Sequence, residues 1–264
     1  MLLNMKKILY CLLILFLSVG SVFAEDLRFL QVTDVHLTPE NREEFHNLIE
    51  EFNAMEDKYA DFVVFSGDNI DSPREEDLQA FLDEVKRLKF KAYVVIGNHD
   101  VFVSDGLDKK LYMKKVRREL GFYHSAKPHY VFRKKDVVFI IVDGAKEVIP
   151  GPNGYFRDSE LHWLEKKLQK YSAKKIVIIQ HFPLLDYRVK GHITYKREKY
   201  LQLLENYPNV MSIVSGHFHE NREERIGNTY HIATENFVGK GYYKIIEVSP
   251  ENNMVYTFLA RTDE

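Results

Sequence analysis

Five places in the chain set a metal-binding or proton-carrying side chain directly behind an apolar run. They are Asp34-Val35-His36, Gly67-Asp68-Asn69-Ile70-Asp71, Gly97-Asn98-His99-Asp100, His181 and Gly216-His217-Phe218-His219. Neutral imidazole mixed with carboxylate and amide oxygen, without sulfur, is a donor set for Zn, Fe, Mn, Co or Ni rather than for Ca²⁺ or a thiolate centre. Any one of these residues alone has a plainer explanation, because a lone His or Asp behind a strand usually makes a local turn or hydrogen bond. Together Asp34, His36, Asp68, Asn98, His181, His217 and His219 exceed what one tetrahedral ion needs. A carboxylate shared by two ions ~3.5–4 Å apart would use them all. Gly67, Gly97 and Gly216 beside them let the backbone turn sharply and approach a ligand closely.

The elements that must position these residues alternate. Apolar strand patterns cover residues 27–32, 61–65, 91–96, 137–142, 175–180 and 210–215, and helical spacing covers 43–59, 74–88, 159–170 and 196–204. Asp158 reads as the N-cap of the third helix in that series. The runs Phe62-Val63-Val64-Phe65 and Tyr93-Val94-Val95-Ile96 suit strands buried on both faces of a parallel or mixed sheet covered by helices. Segments 130–133 and 137–142 read as a hairpin, and residues 222–260 as short strands with turns at Gly227-Asn228 and 250–252. In open α/β sheets the carboxyl ends of the strands converge on one crevice, which brings the five motifs to one place. No repeat or linker divides the pattern, so one layered α/β domain over 25–264 is expected.

Composition agrees and narrows the class. Apolar residues make up 45% of 264, with 18 Phe and 16 Tyr, enough for a large core. Eleven His against a single Cys point to catalysis rather than to structural zinc. Lys6 and Lys7, an uncharged run over 8–20 and Ser21-Val22-Phe23-Ala24 form an export leader, with cleavage expected after Ala24. The run is short for a spanning helix, so no stable membrane anchor is expected after cleavage, and the product is periplasmic or extracellular. Cys11 leaves with the leader, and the loss of Lys6 and Lys7 takes the charge from −2 to −4. That balance gives no reason to expect nucleic acid as a partner.

The ordered motifs D-x-H, G-D-x-x-D, G-N-H-D, a lone His and G-H-x-H resemble the calcineurin-like metallophosphoesterases, over nearly the whole mature chain. The stretch Gly154-Tyr155-Phe156 through Glu160, Leu161, Trp163 and Leu164 is similar to the family's segment before the lone His. The resemblance implies a four-layer α/β/β/α sandwich with the metal site at the carboxyl ends of the strands. It implies two transition-metal ions (Mn, Fe or Zn), one held by Asp34, His36 and His219, the other by Asn98, His181 and His217, with Asp68 bridging. It implies in-line attack on a small phosphate mono- or diester by a hydroxide shared between the ions. His99 is then the group that steadies phosphoryl charge, with Asn98 beside it, and protonates the leaving oxygen, with Asp100 orienting His99. Asp71 stands where purple acid phosphatases carry Tyr, and His99 where lipid A-pathway hydrolases carry Arg, which argues against both branches. The nearest group is the one containing bacterial cyclic-nucleotide phosphodiesterases. A phosphoesterase-like scaffold without turnover is the alternative, and it would be expected to have lost ligands.

Several residues stand outside the motifs. His192, with Arg188 and Lys190, could touch a substrate phosphate or could simply lie in a solvated basic loop. His124, His129 and His231 read as hydrogen-bonded fold residues, His46 and His162 as helix-surface positions, and Asp71 as a helix N-cap or a group behind a ligand. Lys109, Lys110, Lys114, Lys115, Arg117 and Arg118 follow helical spacing opposite Leu111, Val116 and Leu120. They read as a solvated face, with attraction of an anionic partner such as a lipid headgroup or nucleic acid as the alternative.

Overall fold

Apolar runs of four residues require cover on both faces, and the fold supplies it. The computed structural model describes residues 25–121, 127–186 and 192–262. The leader with Cys11, its cleavage site, His124, Arg188 and Lys190 lie outside the described residues. The strands are β1 (Leu27–Val32), β2 (Phe62–Phe65), β3 (Ala92–Val94), β4 (Tyr130–Lys134), β5 (Val137–Ile141), β6 (Gly154–Tyr155) and β7 (Lys175–Ile179). They continue with β8 (Thr194–Tyr195), β9 (Val210–Ser215), β10 (Arg222–Ile226), β11 (Thr229–Ala233), β12 (Tyr242–Ser249) and β13 (Met254–Arg261). The α-helices are α1 (Arg42–Ala54), α2 (Glu75–Val85), α3 (Lys109–Leu120), α4 (Asp158–Lys170) and α5 (Arg197–Glu205).

One sheet runs β13-β12-β1-β2-β3 and a second β10-β11-β9-β7-β5-β4, with β6-β8 as a separate ribbon. Within them β1, β2 and β3 are mutually parallel, as are β5, β7, β9 and β11. The alternation along β2 fixes how layers stack. Phe62 faces the second sheet, 5.0 Å from the Phe139 ring and 5.3 Å from Phe132. Phe65, on the opposite face, meets Phe45 of α1 at 5.8 Å and Phe81 of α2 at 5.3 Å. Helix, sheet and sheet are thus joined by one four-residue strand, and each fully buried Phe adds roughly 1.5–3 kcal/mol. On the far side the Tyr200 hydroxyl of α5 donates to Gln180 just beyond β7 at 3.0 Å.

Helix ends differ from the sequence expectation in informative ways. Arg157, not Asp158, stands at the N-cap of α4, where Glu160 accepts the Arg157 N–H at 2.6 Å, which is the Glu half of a capping box. Asp158 is the first helical residue and pairs with Lys196 and Lys199, both at 2.6 Å. Asp71 is no N-cap either, since α2 starts at Glu75 behind Arg74. Lys109 departs from the solvated face assigned to it: it is buried, with Nζ 2.5 Å from Asp143 and 2.7 Å from the Ala145 carbonyl. Among the described residues no helix is long and apolar enough to cross a membrane.

Candidate metal centre

Each motif follows a parallel strand: Asp34 and His36 follow β1, Asp68 follows β2, Asn98 and His99 follow β3, His181 follows β7, and His217 and His219 follow β9. The first sheet therefore supplies one half of the site and the second sheet the other. Gln31, buried between the sheets, ties them beneath it. Its amide donates to the Ser66 hydroxyl and the Ser215 carbonyl, both at 2.9 Å, and it accepts from Thr234 at 2.7 Å. Five residues leave these strands in the left-handed region: Asp34 (φ 53°), His36 (42°), Asp68 (50°), His217 (69°) and His219 (50°). Such backbone costs of order 1–3 kcal/mol per residue and persists only where the surroundings over-determine it.

The carboxylates divide their oxygens between fold and site. Asp34 Oδ2 accepts from the Thr33 hydroxyl at 2.7 Å and the His217 N–H at 2.9 Å, while Oδ1 faces His219 Nε2 at 3.2 Å. Asp68 Oδ1 accepts the His99 N–H at 2.8 Å. Its Oδ2 lies 3.2 Å from His181 Nε2 and 3.8 Å from His36 Nε2. Asp34, His36 and His219 form one convergent group and Asp68, His181 and His217 another, with donor atoms within 4.8 Å inside each. Asp68, touching His36 of the first group, stands between them. Asn98 is half-buried beside Asp68's neighbour His99. His36 Nε2, His181 Nε2, His217 Nε2 and Asn98 Oδ1 are all buried without a hydrogen-bond partner among the described residues. Unpaired buried polar atoms are costly, and His36 and His217 Nε2 beside two buried carboxylates fit cations. His181 Nδ1 donates to the Ser66 carbonyl at 3.0 Å, which turns Nε2 toward Asp68, where a cation can replace the proton it carries in the metal-free chain.

Electrostatics tell the same story. Burial by itself would raise Asp34 and Asp68, yet both are held below the usual carboxylate range by their histidines. Burial would lower His181, but Asp68 overrides it and lifts the ring to about 9. His217 falls to about 3 through burial and the neighbouring His181, so it presents a neutral ring. Burial and the Asp68 charge push Asp100 up to about 7.

These values set a pH signature for the metal-free chain. A histidine raised to about 9 stabilises the fold fully below its unfolded value of ~6.5 and loses that contribution as pH climbs through 9. Asp100, raised to about 7, also loses stability as pH rises, between ~4 and 7. Thermal scans of chelator-treated protein should therefore show Tm falling from pH 6 to 9, by ~5 °C. The increment on adding Mn²⁺ should grow over the same window, since a cation replaces the lost proton. An increment that shrinks toward pH 9 would contradict this reading.

The structure relocates two expected roles. Asp100 does not orient His99: its carboxylate accepts from the Asn69, Ile70 and Gly97 N–H groups at 2.8, 3.1 and 2.7 Å, and from the Asn69 side chain at 3.1 Å. Asp100 thereby shapes the turns that carry Asp68 and Asn98. His99 Nδ1 instead donates to the Asp71 backbone carbonyl at 2.9 Å, and the Asp71 carboxylate lies 3.6 Å from His36 Nδ1. His192, two residues before the ribbon strand β8, has its ring 5.1 Å from the His217 ring. Of the other histidines, His46 binds Glu84 at 2.9 Å, whereas His231 is buried with neither ring nitrogen partnered among the described residues. Gly97 is required by space: a Cβ there would lie 2.1 Å from Asp68 Oδ1 and 2.2 Å from its backbone nitrogen. Gly97→Ala should therefore displace Asp68, lowering bound metal and cutting kcat/KM by ~10²-fold or more. Near-normal metal content in that variant would refute the claim.

Comparison with known families agrees with this geometry. The family model described as calcineurin-like phosphoesterase matches residues 27–221, most of the chain. The chain belongs to the calcineurin-like phosphoesterases. It is a phosphoric ester hydrolase of a family that uses a dinuclear metal centre. Among relatives of this phosphoesterase, a probable glycerophosphodiester phosphodiesterase of Arcobacter nitrofigilis is 28% identical over 204 residues, 72% of this chain and 71% of that one. A 3′,5′-cyclic adenosine monophosphate phosphodiesterase of Vibrio vulnificus is 25% identical over 215 residues, covering 77% and 73%. A dimetal phosphatase from Danio rerio shares the fold, with TM-score 0.65 over 90% of this chain and 99% of that one at 13% identity.

Proposed function

We propose that this phosphoesterase hydrolyses small phosphodiesters at two transition-metal ions, Mn, Fe or Zn. Asp34, His36 and His219 would hold one ion and Asn98, His181 and His217 the other, with Asp68 available to both groups. The observation that carries the reading is the convergence of Asp34, His36 and His219, and of Asp68, His181 and His217, with donor atoms within 4.8 Å inside each group, while His36 and His217 Nε2 are buried without a hydrogen-bond partner among the described residues. When bound, such cations supply a water of lowered pKa and neutralise phosphoryl charge.

The chain's own residues do the rest. Asp34 and Asp68 each keep one oxygen fixed by backbone N–H donors, so the free oxygen is held in place before any ligand arrives. The Ser66 carbonyl fixes the His181 tautomer. His99, exposed at the mouth of the site, donates from Nδ1 to the Asp71 carbonyl and so presents Nε2 outward. From there it delivers a proton to the departing ester oxygen and hydrogen-bonds the phosphoryl group. His192, 5.1 Å from the His217 ring, would contact the substrate on this side of the site. Diester preference is supported by the names of the two relatives above, one acting on a glycerophosphodiester and one on a cyclic nucleotide.

The deciding experiment compares kcat/KM of Mn²⁺-loaded protein on bis(p-nitrophenyl) phosphate, p-nitrophenyl phosphate, a 3′,5′-cyclic nucleotide and a glycerophosphodiester. Higher values on the diesters support the reading. Inertness toward every diester, or preference for the monoester, overturns it. The same proposal holds that 25–264 is one exported domain freed by cleavage after Ala24. Intact-mass measurement of the secreted protein should then give a chain starting at Glu25, and a retained leader would contradict it.

A further inference from the structure

The largest exposed aliphatic side chains away from the sheet edge β13 gather at one rim. Val103 is 50% exposed, Val148 70% and Ile149 77%. Isolated exposed aliphatics need no explanation, but these three belong to two loops laced together. The Val103 N–H donates to the Glu147 carbonyl at 2.8 Å, the Lys109 N–H to the Glu147 carboxylate at 2.8 Å, and Lys109 Nζ to the Ala145 carbonyl at 2.7 Å. Phe102 and Leu107 pair across the base of the first loop, which turns Val103 and Gly106 outward. The two loops follow β3 and β5, so the tip stands on the face that carries Asn98 and His99.

Basic charge adjoins this tip. Helix α3 starts at Lys109, directly behind the first loop, and Lys110, Lys114, Arg117 and Arg118 are exposed along it. Their spacing of four, seven and eight residues makes one stripe about 12 Å long. Lys110 and Lys114 have no ion pair among the described residues, whereas Arg118, on the stripe, pairs with Glu119 at 2.7 Å and Lys115, off it, with Glu75 at 2.9 Å. Asp108 and Glu147 accept the Leu111 and Lys109 N–H groups at 2.6 and 2.8 Å and keep their negative charge, as does the exposed Asp105 on the tip, so the unpaired positive charge belongs to α3 rather than to the tip itself. A cationic stripe on a chain of net charge −2 is a local concentration, not a property of the whole surface.

We infer that the tip formed by Val103, Val148 and Ile149, with the Lys110–Lys114 stripe of α3, docks this protein reversibly on the surface of an anionic lipid bilayer. Aliphatic tips enter the boundary between headgroups and acyl chains, while neighbouring cations meet anionic headgroups. A polyanion such as nucleic acid would match the stripe but leave three aliphatics without a role. Docking by this rim places the metal site at the membrane surface, where it can meet phosphodiesters presented by the bilayer. The surface is independent of which ester the site hydrolyses.

The test uses the chain from Glu25 onward, which contains every element of the fold, sedimented with vesicles of phosphatidylcholine with and without phosphatidylglycerol. The protein should bind the anionic vesicles and not the neutral ones, and added salt should release it. Val148→Ser with Ile149→Ser should weaken binding ~10-fold or more. Lys110→Gln with Lys114→Gln should weaken it ~25-fold, about fivefold per charge removed. Neither pair touches the metal site, so hydrolysis of bis(p-nitrophenyl) phosphate in solution should stay unchanged, which also shows that the variants fold. No binding by the unaltered chain, or binding indifferent to both pairs, overturns the inference. Self-association abolished by the same substitutions, without vesicle binding, also overturns it and assigns the rim to a second copy.

Discussion

Replacing Asp68 by Asn will lower kcat/KM on phosphodiesters by ~10³-fold or more. The substitution is isosteric, and the side-chain oxygen can still accept the His99 N–H that Asp68 accepts at 2.8 Å. What disappears is the negative charge between His181 and His36, the contact that joins the two convergent groups. The same charge holds His181 up near 9, so the variant should release protons from His181 at lower pH. Bound metal should fall, while the fold survives: a neutral amide is cheaper to bury than a carboxylate. Steady-state kinetics with metal analysis and a thermal scan checks each part. Activity within tenfold of the parent would remove Asp68 from the centre of the mechanism.

His99→Ala should show its effect selectively. On an alkyl phosphodiester, whose leaving oxygen needs a proton, kcat should fall ~10²–10⁴-fold. On bis(p-nitrophenyl) phosphate, whose leaving group departs without one, the loss should be about tenfold, reflecting only the lost phosphoryl contact. His99 is exposed, with Nδ1 on the Asp71 carbonyl and its ring 4.5 Å from His36, and truncation keeps the backbone N–H that binds Asp68. Metal content should be unchanged. Equal losses on both substrates would assign His99 to charge stabilisation alone.

Much of this site was legible in the order of residues because its determinants are local. A donor placed two to four residues beyond a buried parallel strand is carried toward the crevice, and of the seven residues that logic singled out, Asp34, His36, Asp68, His181, His217 and His219 converge in two groups. Neighbours in a motif are another matter. His99 and Asp100 are adjacent, yet one is exposed and the other wholly buried among N–H groups, and spacing alone does not say which side chain turns inward. Contacts across the fold were equally hidden. Gln31 reaches Ser215 across 184 residues of chain, and Lys109 finds Asp143, in a run that otherwise reads as a solvated helix face. Asp71 looked like a cap because Asp often is one. Its place behind His36 depends on where α2 begins, which Pro73 and Arg74 shift downstream.

The central claim is that two cations complete the arrangement around Asp68. Its most direct test is titration of Mn²⁺ into chelator-treated protein, following bound metal per chain and the rate of bis(p-nitrophenyl) phosphate hydrolysis together. The account predicts saturation at two ions per chain, with the rate reaching its plateau only as the second ion binds. Full activity without added metal, or a plateau in both quantities at a single ion, would contradict it.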